Sequence, residues 1–291
     1  METMEFSESL HTIVTKRYSC RTYREEKLSD DDRLELEACI DDVPATPFGS
    51  NVRLQLKAAS PDDEKSLKNL GTYGVIRNPA GFIIGVVGKG EKNLEDFGFI
   101  MEHVILFATD MDIGTCWLGG TFSRSAFAGA IGLGHDELLP AVVSVGYPAK
   151  KKSMMDAMIR FSAGSNRRKP WEELFFDGSF HGRLDQAGAG LYADALEMVR
   201  RAPSASNKQP WRVVRGSDDS FHFYLDRTHG YSGSSKKLFG LLDLQRVDMG
   251  IVMCHFQRAA DEMDLNGSWI TDSEAPLPGE NREYVISWKS T

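Results

Sequence analysis

Apolar residues recur at helical spacing in two separate parts of the chain, Asp96–Trp117 and Asp248–Trp269. Each pattern predicts a long, largely buried helix that runs into a short strand ending in tryptophan. A further strand is predicted after each helix, at Ala141–Val145 and at Glu283–Ser287. Both parts of the chain therefore have the same predicted order: helix, turn, strand, strand, long helix, strand, strand.

The two patterns also match residue by residue. Asp96–Trp117 aligns with Asp248–Trp269 without a gap, and the identical pairs are Asp96/Asp248, Gly98/Gly250, Met101/Met253, His103/His255, Ala108/Ala260, Met111/Met263, Asp112/Asp264 and Trp117/Trp269. A second match links Thr46–Leu56 to the segment Arg201–Trp211, with Pro, Ser and Asn in the same relative positions. We infer an internal duplication into residues 1–175 and 176–291, the covalent counterpart of a symmetric dimer.

Composition narrows the classes of protein that this chain can represent. It has 291 residues, of which 41% are hydrophobic, and a net charge of -8, which argues against a nucleic-acid partner. There is no apolar run of about 20 residues and no basic-then-apolar leader, so we expect neither a membrane span nor export. The four cysteines lack metal-binding or CxxC spacing, which predicts reduced thiols in a cytoplasmic protein without a metal.

The basic residues are clustered despite the acidic balance, at Lys16–Arg24, Lys150–Lys152 and Arg167–Lys169. Such clusters in an acidic protein favour binding of a compact anion. In the first cluster, Arg17, Ser19 and Arg21 alternate. An extended segment would therefore present two guanidinium groups and a hydroxyl on one side, suited to a phosphate-bearing ligand. A solvated run of charges fits the same pattern, and the motif alone does not separate the two.

Two further motifs follow predicted secondary structure. The long helix of the first half leads through Trp117 and Leu118 to Gly119 and Gly120, whose backbone N–H groups can approach a flat ligand closely. The second half has Thr271 and Asp272 at those positions, so glycine is not required merely to make the turn. The third motif is the segment Asn166–Leu174, a basic cluster with no counterpart in the second half.

Together these motifs resemble the FMN-dependent nitroreductase family. The resemblance rests on Arg-x-Ser-x-Arg, the Ala-Pro-Ser-x-x-Asn-x-Gln-Pro-Trp turn, the Gly-x-x-Trp-Leu-Gly-Gly loop, Gly146-Tyr147-Pro148 and the late Arg-x-Pro-x-Glu-Glu-Leu stretch. It spans nearly the whole chain and looks most like the branch in which two nitroreductase-like halves are fused. It implies an α+β sandwich, internally duplicated so that one chain mimics the usual homodimer, and hence a monomer.

The resemblance also implies which residues bind FMN. They are Arg17, Tyr18, Ser19, Arg21, Leu118, Gly119, Gly120, Arg167, Arg168, Pro203, Ser204, Ser206 and Asn207. By this resemblance the Arg-x-Ser-x-Arg residues hold the phosphate, the ribityl chain and the N1/O2 edge, with Arg21 at that edge. The double glycine supplies N–H groups near N5 and O4, and the two arginines of the late basic cluster meet the phosphate. Tyr73 and Lys208 are predicted at the substrate face.

The two halves carry complementary sets of these elements. The first half has a degraded turn, with Phe48 and Gly49 where the second has Ser204 and Ala205, whereas the second half has kept the turn and lost the rest. We therefore expect one FMN per chain. The implied activity is ping-pong hydride transfer through flavin N5, from NADH or NADPH to a small acceptor such as a nitroaromatic or quinone, without a side-chain acid or base. The alternatives are a flavin-binding sensory or storage protein without turnover, and other flavin chemistry such as reductive dehalogenation or flavin breakdown.

Overall fold

The computed structural model describes residues 5–58, 67, 70–150, 167–228 and 242–291. Lys151, Lys152 and Asn166, which belong to the predicted basic clusters, lie outside the described residues. The chain divides into two compact units, Met1–Gly164 and Ser165–Thr291. Among the described residues, no helix combines the length and the apolar composition that a membrane span requires.

Unit 1 is built on an antiparallel sheet with the strand order β1-β2-β5-β3, to which a short β4 adds beside β2. Its strands are β1 (Val52–Ala58), β2 (Gly81–Gly88), β3 (Gly114–Leu118), β4 (Glu137–Leu138) and β5 (Val142–Gly146). Its helices are α1 (Leu10–Lys16), α2 (Asp30–Asp41), α3 (Asn93–Asp110) and α4 (Arg124–Ile131). Ser9 and Ser29 cap α1 and α2 through their side-chain oxygens, and α3 is buried along nearly its whole length.

Unit 2 contains a sheet with the order β6-β7-β8-β10-β9, antiparallel except for the pair β6/β7. Its strands are β6 (Phe175–Asp177), β7 (Trp211–Arg215), β8 (Phe221–Asp226), β9 (Gly267–Ile270) and β10 (Arg282–Ser290). Its helices are α5 (Trp171–Leu174), α6 (Ala193–Arg201) and α7 (Leu244–Glu262). Phe256 of α7 centres an aromatic core, with five ring centroids at 5.3 to 6.0 Å; they belong to Tyr192, Phe221, Phe223, Trp269 and Trp288.

Each unit, taken by itself, connects its strands in the same way. When β4 and β6 are left out, the other four strands of each unit have the order first-second-fourth-third, as β1-β2-β5-β3 and as β7-β8-β10-β9. The two long helices also end alike, because Asp112 and Asp264 both take the left-handed conformation, with φ of 61° and 55°. The residue after each aspartate donates its N–H to the carbonyl five residues earlier, at 2.8 and 2.9 Å, as in a Schellman cap.

The predicted elements are confirmed, and the predicted division of the chain differs from the observed one. Both long helices, their tryptophan-bearing strands and the strands at Ala141–Val145 and Glu283–Ser287 are present. The observed division falls at Gly164/Ser165, earlier than the predicted 175/176, because α5 and β6 pack within unit 2: the Trp171 indole donates to Leu184 O at 2.7 Å and β6 pairs with β7.

Candidate functional site

The Arg-x-Ser-x-Arg segment of unit 1 is extended and lies along β3. Ser19 bridges Thr115 in parallel, and the N–H of Cys20 donates to Thr115 O at 2.8 Å. Cys20 is buried, whereas Arg17, Ser19 and Arg21 are partly exposed. The buried Cys20 thus separates the partly exposed Ser19 and Arg21, but Tyr18 is partly exposed as well, and the Nε atom of Arg17 is buried.

Gly114 of β3 allows this close approach. A Cβ atom at Gly114 would lie 3.0 Å from both Cβ and Sγ of Cys20 and 2.9 Å from Cγ of Pro148. These distances are shorter than ordinary van der Waals contacts, so a side chain here would displace the segment. The glycine thus makes room for the segment, and the Ser19/Thr115 bridge holds it beside β3.

Tyr23 anchors the other end of the segment inside the core. Its hydroxyl lies 2.8 Å from Cys20 O and 2.8 Å from Ser144 Oγ. Burial raises the pKa of Tyr23 well above its ordinary value, so the phenol stays protonated and can donate. Tyr18, predicted beside FMN, is partly buried and packs against the hydrophobic cluster that contains Cys20 and Tyr23.

The loop after β3 presents backbone donors. Leu118 is buried and ends the pairing with β5 opposite Val142, and the next N–H groups belong to Gly119 and Gly120. Neither of these N–H groups has a hydrogen-bond acceptor in the described part of the chain. Gly119 is partly exposed and Gly120 is exposed, so both N–H groups are available to water or a ligand.

Tyr73 lies in a tight turn that is tied to the same loop. Tyr73 and Gly74 have φ of 51° and 75°, and Val75 N donates to Thr72 O at 3.0 Å, which defines a type I′ turn. The residue before this turn, Gly71, accepts a hydrogen bond from Ser123 N, just beyond the double glycine. The Tyr73 side chain is 73% exposed, and its left-handed backbone is unusual for an aromatic residue.

In unit 2 the Pro-Ser-x-x-Asn turn folds around Ser204. The Ser204 hydroxyl accepts the N–H of Gln209 at 2.9 Å, and its carbonyl accepts the N–H of Asn207 at 2.9 Å. Ser206, Asn207 and Gln209 all have positive φ, between 49° and 54°, without a glycine among them. With Gln209 bound as donor, the Ser204 hydroxyl keeps its own O–H for donation to a ligand. Pro203 is partly exposed beside it, and Lys208 is exposed.

The basic segment is hydrogen-bonded to this turn. Arg168 donates from Nε and Nη2 to Arg201 O, at 3.2 and 3.0 Å, and from Nη1 to Asn207 Oδ1 at 3.2 Å. Asn207 Nδ2 in turn donates to Arg167 O at 2.9 Å. Arg167 and Arg168 therefore belong with the turn of unit 2, whereas the sequence assigned them to the first half. Short-range sequence patterns do not report hydrogen bonds across some forty residues.

Each turn is also fastened by an aspartate of the long helix in its own unit. The Asp96 carboxylate accepts the N–H groups of Phe48 and Ser50, at 2.9 and 2.8 Å. Asp248 accepts the N–H of Ala205 at 2.8 Å. Burial raises the pKa of Asp96, although the two N–H groups oppose that change. The aligned aspartates thus have the same structural task in both units.

The position equivalent to Gly120 is blocked in unit 2. There the N–H of Asp272 donates to the hydroxyl of Tyr284 at 2.9 Å. The same hydroxyl lies 2.8 Å from Ser287 Oγ, which is 2.7 Å from Nδ1 of the buried His222. The backbone donor that unit 1 leaves available after β3 is therefore taken by a side chain in unit 2.

Sequence reasoning missed three residues that organise these groups. Gln209 stood in the quoted Gln-Pro-Trp motif, but its role as a buried hydrogen-bonding residue depends on the fold. Asp248 was aligned with Asp96, and an identical polar pair inside a buried helix was the signal that could have found both. Nothing in the sequence indicated the role of Tyr284, because its partner, the N–H of Asp272, lies in the loop that follows the neighbouring strand β9.

Comparison with known proteins decides the family. Residues 9–260 match the model of a protein family described as "Putative TM nitroreductase". The chain belongs to this nitroreductase family. It aligns over 177 residues, at 26% identity, with a protein of Archaeoglobus fulgidus named "Putative NADH dehydrogenase/NAD(P)H nitroreductase", covering 56% of this chain and 99% of that protein.

The chain was also compared with solved structures. The "putative nitroreductase" of Thermotoga maritima MSB8 matches 99% of this chain and 97% of its own, with a TM-score of 0.60 and 16% identity. A nitroreductase with bound FMN from Bacteroides fragilis covers 51% of this chain and 92% of its own, with a TM-score of 0.41 and 16% identity. The resemblance implied a nitroreductase-like α+β sandwich, and the Thermotoga match confirms a mixed α/β fold of the nitroreductase type.

Proposed function

We propose that this nitroreductase is an FMN-dependent oxidoreductase that uses electrons from NADH or NADPH to reduce a small acceptor, such as a nitroaromatic or a quinone. The observation that carries the proposal is the donor set of unit 1. An extended segment holds two arginines and a serine along β3, and the loop after β3 exposes two backbone N–H groups without a described acceptor.

This donor set fits FMN. A phosphate requires cations, a ribityl chain requires hydrogen-bonding hydroxyls, and the ring edge requires fixed N–H donors. Arg17, Ser19 and Arg21 provide the first two kinds of group, and Gly119 with Gly120 provides the third. The absence of a side chain at Gly114 allows the segment that carries Ser19 and Arg21 to pack directly against β3.

Unit 2 adds a second set of residues that the motif resemblance assigns to the same FMN. Arg167 is exposed and suited to the phosphate, while Ser204 retains an O–H for donation. Arg168 and Asn207 are hydrogen-bonded to each other, which supports a role in holding the basic segment against the turn. Pro203 and Ser206 complete the turn.

We propose one FMN per chain, as a consequence of an internal duplication with complementary losses. The duplication is supported by the shared strand order and by the matching left-handed caps at Asp112 and Asp264. The loss of a second FMN site is supported by the Tyr284 hydroxyl, which takes the N–H of Asp272. Since such a chain carries both halves of the usual dimer, we expect it to act as a monomer.

The residues contribute placement and electrostatics. When bound, FMN supplies the two-electron chemistry, accepting electrons from NAD(P)H and passing them to the acceptor. We assign Arg21 to the N1/O2 edge, where a permanent positive charge favours the negative charge of the reduced cofactor. Tyr73 and Lys208 are exposed and are proposed to contact the donor and the acceptor, which bind in turn and so give ping-pong kinetics.

Anaerobic mixing of the FMN-loaded protein with NADH or NADPH tests this proposal. We expect loss of the yellow flavin absorbance with at least one of the two donors, and its return when a nitroaromatic or quinone is added. A bound flavin that neither donor bleaches would contradict the proposal and indicate a flavin-binding protein without turnover.

A further inference from the structure

Gln209 is a buried side chain of the turn in unit 2, with hydrogen-bonding partners at both ends of its amide. It is 4% exposed, and its Oε1 accepts the N–H of Lys169 at 2.7 Å. Its Nε2 lies within hydrogen-bond distance of Arg167 O at 3.4 Å and of Asn207 O and Oδ1 at 3.2 and 3.3 Å. One buried amide thus joins the basic segment to the turn.

The backbone of this turn needs such support. Ser206, Asn207 and Gln209 hold left-handed φ values of 50°, 54° and 49°. A left-handed backbone is unfavourable for a residue other than glycine and persists only where the surroundings impose it. The Gln209 side chain, together with the bond from its N–H to Ser204 Oγ, provides that restraint.

The restraint extends to the proposed phosphate ligands. Asn207 Oδ1 accepts from both Gln209 Nε2 and Arg168 Nη1, so the amide orientation of Asn207 and the guanidinium of Arg168 are set together. The carbonyl of Arg167 accepts from Asn207 Nδ2 and lies near Gln209 Nε2. Loss of the Gln209 amide would remove one restraint on Asn207 Oδ1, which Arg168 Nη1 contacts, and one on the backbone of Arg167.

We propose that Gln209 is a positioning residue that selects FMN over flavins without a phosphate, by holding Arg167 and Arg168 for the phosphate group. The inference rests on the proposed function. It makes a distinct claim, because it assigns discrimination between FMN and riboflavin to a buried side chain that reaches neither ligand itself.

The test is the ratio of dissociation constants for riboflavin and FMN, measured by quenching of flavin fluorescence on the full-length apoprotein. Gln209→Met keeps the length of the side chain and removes all its hydrogen bonds. Gln209→Glu keeps the acceptor for Lys169 N and loses the donors. The matched control is Gln245→Met in the same unit, because Gln245 is also buried and donates to Thr228 Oγ1 at 2.7 Å.

Charge-assisted contacts to a phosphate are strong enough that misplacing them costs about tenfold or more in affinity. We expect both Gln209 variants to lower the riboflavin-to-FMN ratio by about tenfold, through weaker FMN binding, with riboflavin binding within about twofold of wild type. Gln245→Met should leave the ratio unchanged even if it lowers the melting temperature. Circular dichroism identifies a variant that fails to fold, and the other Gln209 variant then decides.

Each remaining outcome is decisive. If the wild-type protein prefers FMN and both folded Gln209 variants keep its ratio, the inference is wrong and the proposed function stands. If both flavins weaken equally in the variants, Gln209 supports the fold and not the phosphate site, which also overturns the inference. Wild-type protein that binds neither flavin contradicts the proposed function and this inference with it.

Discussion

The Asp248 carboxylate accepts a hydrogen bond from the backbone N–H of Ala205 at 2.8 Å. Asp96, its aligned counterpart, makes the equivalent attachment to the turn of unit 1 through Phe48 and Ser50. An identical residue inside two buried helices therefore performs the same task, although the turns differ in sequence. The turn of unit 1 has Phe48 and Gly49 where the turn of unit 2 has Ser204 and Ala205.

Removing the Asp248 carboxylate should loosen the turn. We expect Asp248→Ala to lower the free energy of unfolding by about 1–3 kcal/mol, because the N–H of Ala205 loses its acceptor. It should also weaken FMN binding. Asp248→Asn keeps an oxygen that can accept the hydrogen bond. It should therefore lose less stability and less affinity for FMN than Asp248→Ala. Chemical denaturation and FMN titration measure the two effects, and equal losses in the two variants would contradict the assigned role.

Arg21 is predicted to matter for FMN through its charge. Arg21→Ala should raise the dissociation constant of FMN roughly tenfold to a hundredfold, and slow the bleaching of bound flavin by NAD(P)H. Arg24→Ala is the matched control, since Arg24 lies on the same segment and its side chain is 54% exposed. Stopped-flow absorbance gives the rate, and unchanged affinity and rate in Arg21→Ala would remove Arg21 from the site.

A methyl group at Gly114 should displace the Arg-x-Ser-x-Arg segment, which packs against this position of β3. Gly114→Ala places a Cβ about 3 Å from Cys20, so we expect a loss of stability of about 1–3 kcal/mol and weaker FMN binding. Gly129→Ala provides the contrast, because Gly129 is an exposed position of helix α4 where a Cβ meets nothing within 4 Å. That variant should gain about 0.5–1 kcal/mol. Thermal melts compare the two, and a stable Gly114→Ala that binds FMN normally would refute this view of β3.

His222 should make stability depend on pH. Burial lowers the pKa of His222 in the folded protein, partly opposed by Asp272 and Asp218. As pH falls below about 6.5, the unfolded chain binds a proton that the folded chain resists, so stability decreases. His222→Gln should flatten the melting temperature between pH 7 and about 5.5 relative to wild type. The control is His135→Gln, because the His135 side chain is 93% exposed. This variant should keep the pH dependence of the melting temperature seen in wild type.

The sequence predicted most of the secondary-structure elements, but it did not predict how the candidate site residues are hydrogen-bonded to one another. Apolar periodicity reports local burial, so the long helices and the strands at Ala141–Val145 and Glu283–Ser287 were predictable. Helix α4 and strand β4, which intervene between β3 and β5, were not predicted. The association of Arg168 with Asn207 depends on hydrogen bonds between distant segments, and the left-handed turn at Ser206 lacks the glycine that usually signals one.

Flavin stoichiometry tests the central claim most directly. The apoprotein is reconstituted with FMN and freed of excess cofactor, and the released flavin is then measured by absorbance against the polypeptide concentration. We predict one FMN per chain, because unit 1 retains available N–H groups at Gly119 and Gly120 while Tyr284 takes the equivalent N–H in unit 2. Two tightly bound FMN molecules per chain, or none, would contradict the account.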